Sequence, residues 1–232
     1  MNSLKAKYRA KIYKNLSECF RVPDQNFYGL LEDLKETLEL VYPELVKGLS
    51  PFNNTSEKVA EMKIEHARLF IGPFTLLAPP YGSMYLDHHE HLMTNSTVDV
   101  LRRYEEENMD VAIQEIPDHL CIELEYMYYL VFREMEALEH IESDYHNNGT
   151  EISLENAESS PFEKSLHEII FNYRLKQYDF LKKHLSRWLP EFEKKVHEHA
   201  NLPFFSQLAT VTNEFIVHDL RKLKRNLMNV IQ

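Results

Sequence analysis

Residues 117–131 read PDHLCIELEYMYYLV, and this stretch decides the fold class. Leu120, Leu124, Met127, Tyr128 and Val131 recur at spacings of three and four, which gathers them on one side of a helix. Pro117 and Asp118 open it. An aspartate at that place is a natural N-cap, or a first-turn acid favoured by the helix dipole. A half-buried strand would alternate apolar with polar residues. Val, Ile and Thr do not alternate in that way over a strand's length anywhere in the chain.

The same period extends to both ends. Leu4, Tyr8, Ile12, Leu16 and Phe20 repeat at i, i+4 until Pro23-Asp24 stops them. Phe27, Leu30, Leu31, Leu34 and Leu38 form a second stripe, broken at Pro43 and over 49–55. Thr55 or Ser56 caps a helix carrying Val59, Met62, Ile64 and Leu69. A polar helix is expected from Asp87 to Glu107. Pro161 starts a block with Phe162, Leu166, Ile169, Ile170 and Tyr173, followed by the apolar residues of 180–188. Pro190 and Pro203 are expected to separate the last helices, of which the final one bears Leu208, Val211, Phe215 and Ile216. Residues 143–160 are polar, include Asn147-Asn148-Gly149, and read as a linker or mobile loop. The expectation is an all-α bundle of about 9–12 helices without a sheet.

Composition narrows the function. The 232 residues suffice for one large core or two small lobes. The net charge of −11, from 37 acidic and 26 basic residues, would repel nucleic acid and suits a basic peptide. No apolar h-region stands near the N-terminus and no run of 18 apolar residues occurs, so a cytoplasmic protein without a membrane span is expected. Cys19 and Cys121 form no CxxC pair. Of the five glycines, the closest two, Gly72 and Gly82, are ten apart, and no Rossmann or P-loop fingerprint can be assembled from them.

Four features carry candidate chemistry. Residues 69–87, LFIGPFTLLAPPYGSMYLD, hold two glycines and three prolines within 72–83, too many for a regular helix, yet are rich in aromatics. They read as a peptide-binding loop or as a buried connection plugging the core, and composition alone favours the second. Asp118, His119, Glu123 and Glu125 could meet an arginine on a partner, or could be a capped helix start with solvated carboxylates. His88, His89 and His91 beside Asp87 suggest a metal, but lack an H-E-x-x-H motif and read first as solvated surface, and His197 and His199 are weaker still. The His218-Asp219 doublet is followed by no acid that could complete a metal site. GxSxG is absent, and no catalytic residue is assigned.

Taken together, the 69–87 loop and PDHLCIELEYM resemble two signatures of the TorD/DmsD family of redox-enzyme maturation chaperones. The stretches FLKKHLSRWLPEF (180–192) and ANLPFFSQLATVTNEFI (200–216) resemble a third region of that family, in the same order. The resemblance implies one all-helical domain over 1–232, with an N-terminal lobe at 1–142, a hinge at 143–160 and a C-terminal lobe at 161–232. It implies a non-catalytic, cofactor-free cytoplasmic protein. Its ligand would be the twin-arginine leader of a molybdopterin oxidoreductase of the dimethyl-sulfoxide or trimethylamine-oxide reductase type. The apo form of that enzyme would be held until its cofactor is inserted, before export, with export and cofactor-biosynthesis proteins as further partners. The carried-over site is Leu69, Phe70, Phe74, Pro80, Tyr81, Asp118 and His119: aromatics for the leader's apolar stretch, Asp118 for its arginines. Relatives often have Trp at these aromatic positions, whereas this chain has Phe74 and Tyr81, with His66 where a Trp can stand. The alternatives are a NarJ-like chaperone of an enzyme kept at the membrane, and a helical metalloenzyme using His88 and His91. A monomer and a lobe-swapped dimer both fit.

Overall fold

The structure is a computed structural model. It describes residues 2–46, 56–72, 76–87, 94–111, 116–147 and 161–231, with backbone alone at 56–58, 145–147, 161–163, 230 and 231. The elements are α1 (Ser3–Cys19), α2 (Phe27–Val41), α3 (Ser56–His66), α4 (Ser83–Leu86), α5 (Asn95–Glu105), α6 (Leu120–Asn147), α7 (Pro161–Lys183), α8 (Leu185–His199) and α9 (Pro203–Ile231). Among the described residues there is no strand, and the expected all-α fold is what forms.

Helix starts follow their local chemistry. The Lys5 N–H donates to Asn2 Oδ1 (3.2 Å), which caps α1. Pro161 and Pro203 stand at the first positions of α7 and α9, where a missing N–H costs nothing. Pro43 keeps Tyr42 out of the helical region (φ −143, ψ 60) and so ends α2 at Val41.

The long α6 lies at the centre, packed on α1 and α7, with α2 against α1 and α8 against α9. The main core takes in Ile12, Leu16, Leu124, Met127, Trp188, Phe205 and Phe215, so residues before 143 and after 160 share it. A smaller cluster of Ala6, Leu138, Ile141, Leu166 and Ile170 joins α1, the late turns of α6 and α7.

Several expectations are corrected. Helix α6 continues through Asn147, because its last turns keep Leu138 and Ile141 buried; the remainder of the expected hinge, 148–160, lies outside the described residues. Of the helix expected from Asp87, Asp87 itself ends α4, residues 88–93 lie outside the described residues, and α5 starts at Asn95 after an extended Thr94. Asp87 instead accepts from the Ser96 N–H (3.1 Å) and hydroxyl (2.9 Å) and from the Thr94 hydroxyl, taking up donors at the start of α5. Pro190 lies inside α8 and does not divide two helices; the break is at His184, whose φ of −119 and ψ of −94 leave the helical region. On α1, Leu4 is 52% exposed while Arg9 is fully buried, so the inward face runs through a charged residue that periodicity reads as polar. Ile64, counted among the apolar stripe of α3, is exposed.

Candidate functional site

The loop at 69–87 is built by backbone geometry before side chains matter. Helix α3 widens into a π-helical turn over Ala67–Ile71, closed where the Gly72 N–H donates to Ala67 O (2.7 Å). Gly72 has φ 49, a left-handed value that favours glycine. The Ala78 N–H then donates back to Leu69 O (3.0 Å), doubling the loop on itself. The wider turn buries Leu69 and Phe70 and leaves Ile71 exposed. Such turns recur at functional sites in helical proteins.

The two signature segments meet directly. Tyr81 and His119 form an isolated antiparallel bridge, in which the Gly82 N–H donates to Asp118 O (2.9 Å) and the Leu120 N–H to Pro80 O (2.8 Å). Their rings stand edge to face, centroids 5.1 Å apart. His119 Nδ1 accepts from the Cys121 N–H (3.1 Å), which places the proton of the neutral ring on Nε2.

Asp118 is at 0% exposure. One carboxylate oxygen accepts from the Ser83 N–H (2.7 Å) and the other from the Thr97 hydroxyl (3.1 Å). The carboxylate therefore caps α4 from outside and pins α5 to the same point. Solvated it is not, and the expected meeting with a partner's arginine finds this side chain sealed beneath the bridge.

Behind the bridge lies a second buried acid. Glu123 Oε2 accepts from Trp188 Nε1 (3.1 Å), and Trp188 stacks on Tyr85 at 5.6 Å and 17°. Complete burial, and secondly the Asp118 charge, push the Glu123 carboxyl well above the usual range. Gly82 makes room for this arrangement: a Cβ there would stand 3.0 Å from Trp188 Nε1 and 3.2 Å from Glu123 Oε1.

In front of the bridge opens a cleft of about 920 Å³. Phe70, Ile71, Leu76 and Tyr81 line it from the loop, His119 and Ile122 from the start of α6, and Phe20 and Val22 from the end of α1. Of the expected site, Phe70, Tyr81 and His119 face this cleft, while Leu69, Pro80 and Asp118 are buried behind it. Phe74 lies outside the described residues. Phe70 forms the floor by stacking on Phe192 (5.9 Å, 27°) and meeting Phe205 edge-on (5.6 Å). The His66 Nε2–H donates to Phe20 O (2.9 Å), which binds α3 to the end of α1, and burial holds its pKa below the ordinary value. A smaller hollow of about 400 Å³ adjoins the cleft, lined by Glu18, Asp24, Asn26, Phe27 and Glu125, and shares Arg21 and Val22 with it.

A family model described as the nitrate reductase delta subunit matches residues 31–194, which include both signature segments and Trp188. The chain is also similar to the chaperone protein TorD of Vibrio parahaemolyticus, 22% identical over 185 residues, covering 78% of this chain and 72% of that protein. TorD of Vibrio atlanticus is 24% identical over 190 residues, covering 81% and 76%. The chain belongs to the TorD/DmsD family of chaperones.

Within this TorD-like fold, sequence reasoning missed the contribution of α1. Phe20 appears in the sequence only as one apolar repeat, and Arg21 and Val22 carry no motif, yet all three border the cleft. Among the described residues no three of His, Cys, Asp and Glu gather as metal ligands, and no helix is long and apolar enough to cross a membrane. His88, His89 and His91 lie outside the described residues. The His218-Asp219 doublet splits: His218 faces Glu44 (3.5 Å), and Asp219 turns inward to Arg9.

Proposed function

We propose that the chain is a maturation chaperone that holds the leader peptide of a molybdoenzyme in the cleft between the 69–87 loop and the start of α6. The observation that carries this reading is the cleft itself, about 920 Å³ and walled by Phe20, Phe70, Ile71, Leu76, Tyr81 and Ile122. An apolar stretch of peptide would bury its side chains against aromatics already fixed by their neighbours, so little ordering cost falls on the chaperone. The net charge of −11 and the acidic hollow next to the cleft favour a basic flank on the same peptide. A twin-arginine leader has both properties. Its source would be a molybdopterin oxidoreductase of the dimethyl-sulfoxide or trimethylamine-oxide reductase type, held in the cytoplasm until its cofactor is in place. Asp118 serves this function as the clasp that keeps loop and helix together, and no catalytic step is assigned to it.

Calorimetric titration of the purified chain with a synthetic twin-arginine leader tests the reading. Ile71 is 57% exposed at the cleft rim, so Ile71→Asp should spare the fold and weaken binding by roughly tenfold or more, since it sets a charge against the leader's apolar stretch. Unchanged affinity in that variant would remove the leader from this cleft.

A further inference from the structure

We propose that Arg21 occupies the place of a leader arginine in the unliganded chain, and that Glu125 is the carboxylate for which the two compete. This rests on the leader-binding reading above.

Asp118 cannot meet an arginine as the protein stands, with both oxygens engaged and no exposure. Glu125 can. It lies one turn into α6, and its side chain is 41% exposed. It accepts from Arg21 Nη2 at 2.7 Å. The pair stands at the seam between two cavities, because Arg21 lines both the apolar cleft and the acidic hollow. Around that hollow are Glu18, Asp24 and Glu125, and among the residues lining it Arg21 is the single base. The C-terminal end of α1 borders the same place through Glu18 and carries no basic residue in its last turn, so the helix dipole adds further negative potential. A guanidinium is therefore the group this seam is built to hold, and the chain supplies one of its own.

The exchange is favourable because Glu125 never stands bare. An entering arginine takes over the contact to Glu125 while Arg21 swings into water, where a guanidinium is well solvated. An exposed ion pair is a weak bond to give up. A peptide with arginines beside an apolar run would reach the acidic hollow and the cleft at once, since they share Arg21 and Val22. Arg21 thereby sets a threshold that an arginine-bearing peptide has to pass by displacing it, and leaves a peptide without arginines unaffected.

The test titrates the full chain with two synthetic leaders, one with its arginine pair and one with both arginines replaced by glutamine. Arg21→Ala should bind the arginine leader roughly threefold to fivefold tighter, the size of an exposed ion pair. Glu125→Gln should bind it weaker by a similar factor. In the Glu125→Gln background, Arg21→Ala should give no gain, and the glutamine leader should gain nothing from Arg21→Ala in either background. Unchanged or weaker binding by Arg21→Ala overturns the proposal. So does a gain that persists without Glu125, which would reduce it to long-range charge. If no variant nor the parent chain binds the arginine leader at all, the leader-binding reading itself falls. The melting temperature of Arg21→Ala, an exposed position, should match the parent's.

Discussion

Arg9 and Asp219 stand 210 positions apart in the chain and meet as a two-pronged ion pair, Nη2 to Oδ2 and Nε to Oδ1 each at 2.8 Å, with both side chains at 0% exposure. Glu134 accepts from Arg9 Nη1 (3.1 Å), Gln177 from Nη2 (2.7 Å), and the Tyr13 hydroxyl donates to Asp219 (2.8 Å). One guanidinium thus ties α1, α6, α7 and α9. Arg9→Met would leave two buried carboxylates short of their counter-ion and should cost about 3–5 kcal/mol, a fall of roughly 10 °C in Tm. Urea denaturation of the variant measures it, and a loss under 1 kcal/mol would show the network to be dispensable.

Asp118→Ala removes the acceptor for two buried donors, the Ser83 N–H and the Thr97 hydroxyl. The expected cost is about 2–4 kcal/mol. Hydrogen exchange at Ser83 through Asp87 should rise more than in the middle of α6, because α4 loses its cap.

Gly82→Ala would force a methyl to 3.0 Å from Trp188 Nε1. Overpacking of this kind costs about 1–3 kcal/mol. Trp188 is the only tryptophan, so a shift in fluorescence emission reports the disturbance directly.

Glu123 and the buried histidines respond to pH in opposite senses. The folded Glu123 carboxyl lies above its ordinary 4.5, so its contribution is fully present below that value and is lost as pH rises. Glu123→Gln keeps the acceptor for Trp188 and should raise Tm more at about pH 8 than at about pH 5.

Burial holds His66 and His184 below the ordinary 6.5. The unfolded chain takes up these protons more readily, so their contribution is present above 6.5 and lost as pH falls through the folded values. Tm should drop between about pH 7.5 and about pH 5.5, and His66→Gln should show a smaller drop.

Much of this architecture is legible from spacing. The α6 stripe Leu120, Leu124, Met127 is fully buried, and Pro161 and Pro43 bound helices where they were expected to. Periodicity fails at Arg9, since a hydropathy pattern has no means of showing that a charge has three buried partners on distant helices. It fails at Leu4 and Ile64, which no described element covers and which stay exposed. Of the site, Phe70, Tyr81 and His119 could be read from their motifs, and they do converge on one cleft. The α1 wall could not, because a helix end acquires a cleft only through what packs beside it. Asp118 was legible as a cap, but its acceptors' direction was not: the donors it serves lie 35 and 21 residues upstream.

The bridge between Tyr81 and His119 has a consequence for how this chain can diversify. It closes residues 82–118 into an excursion whose ends are joined by two backbone hydrogen bonds, and α5 within it is tied in turn to α7 through Arg103–Asp179 and to His184 through Asp99. Changes in length are tolerated there only where Asp87, Thr97 and Tyr104 keep their anchoring bonds and Val100 its place in the core. The excursion is a fastened flap: a length change that spares those bonds should leave the Tyr81–His119 bridge closed.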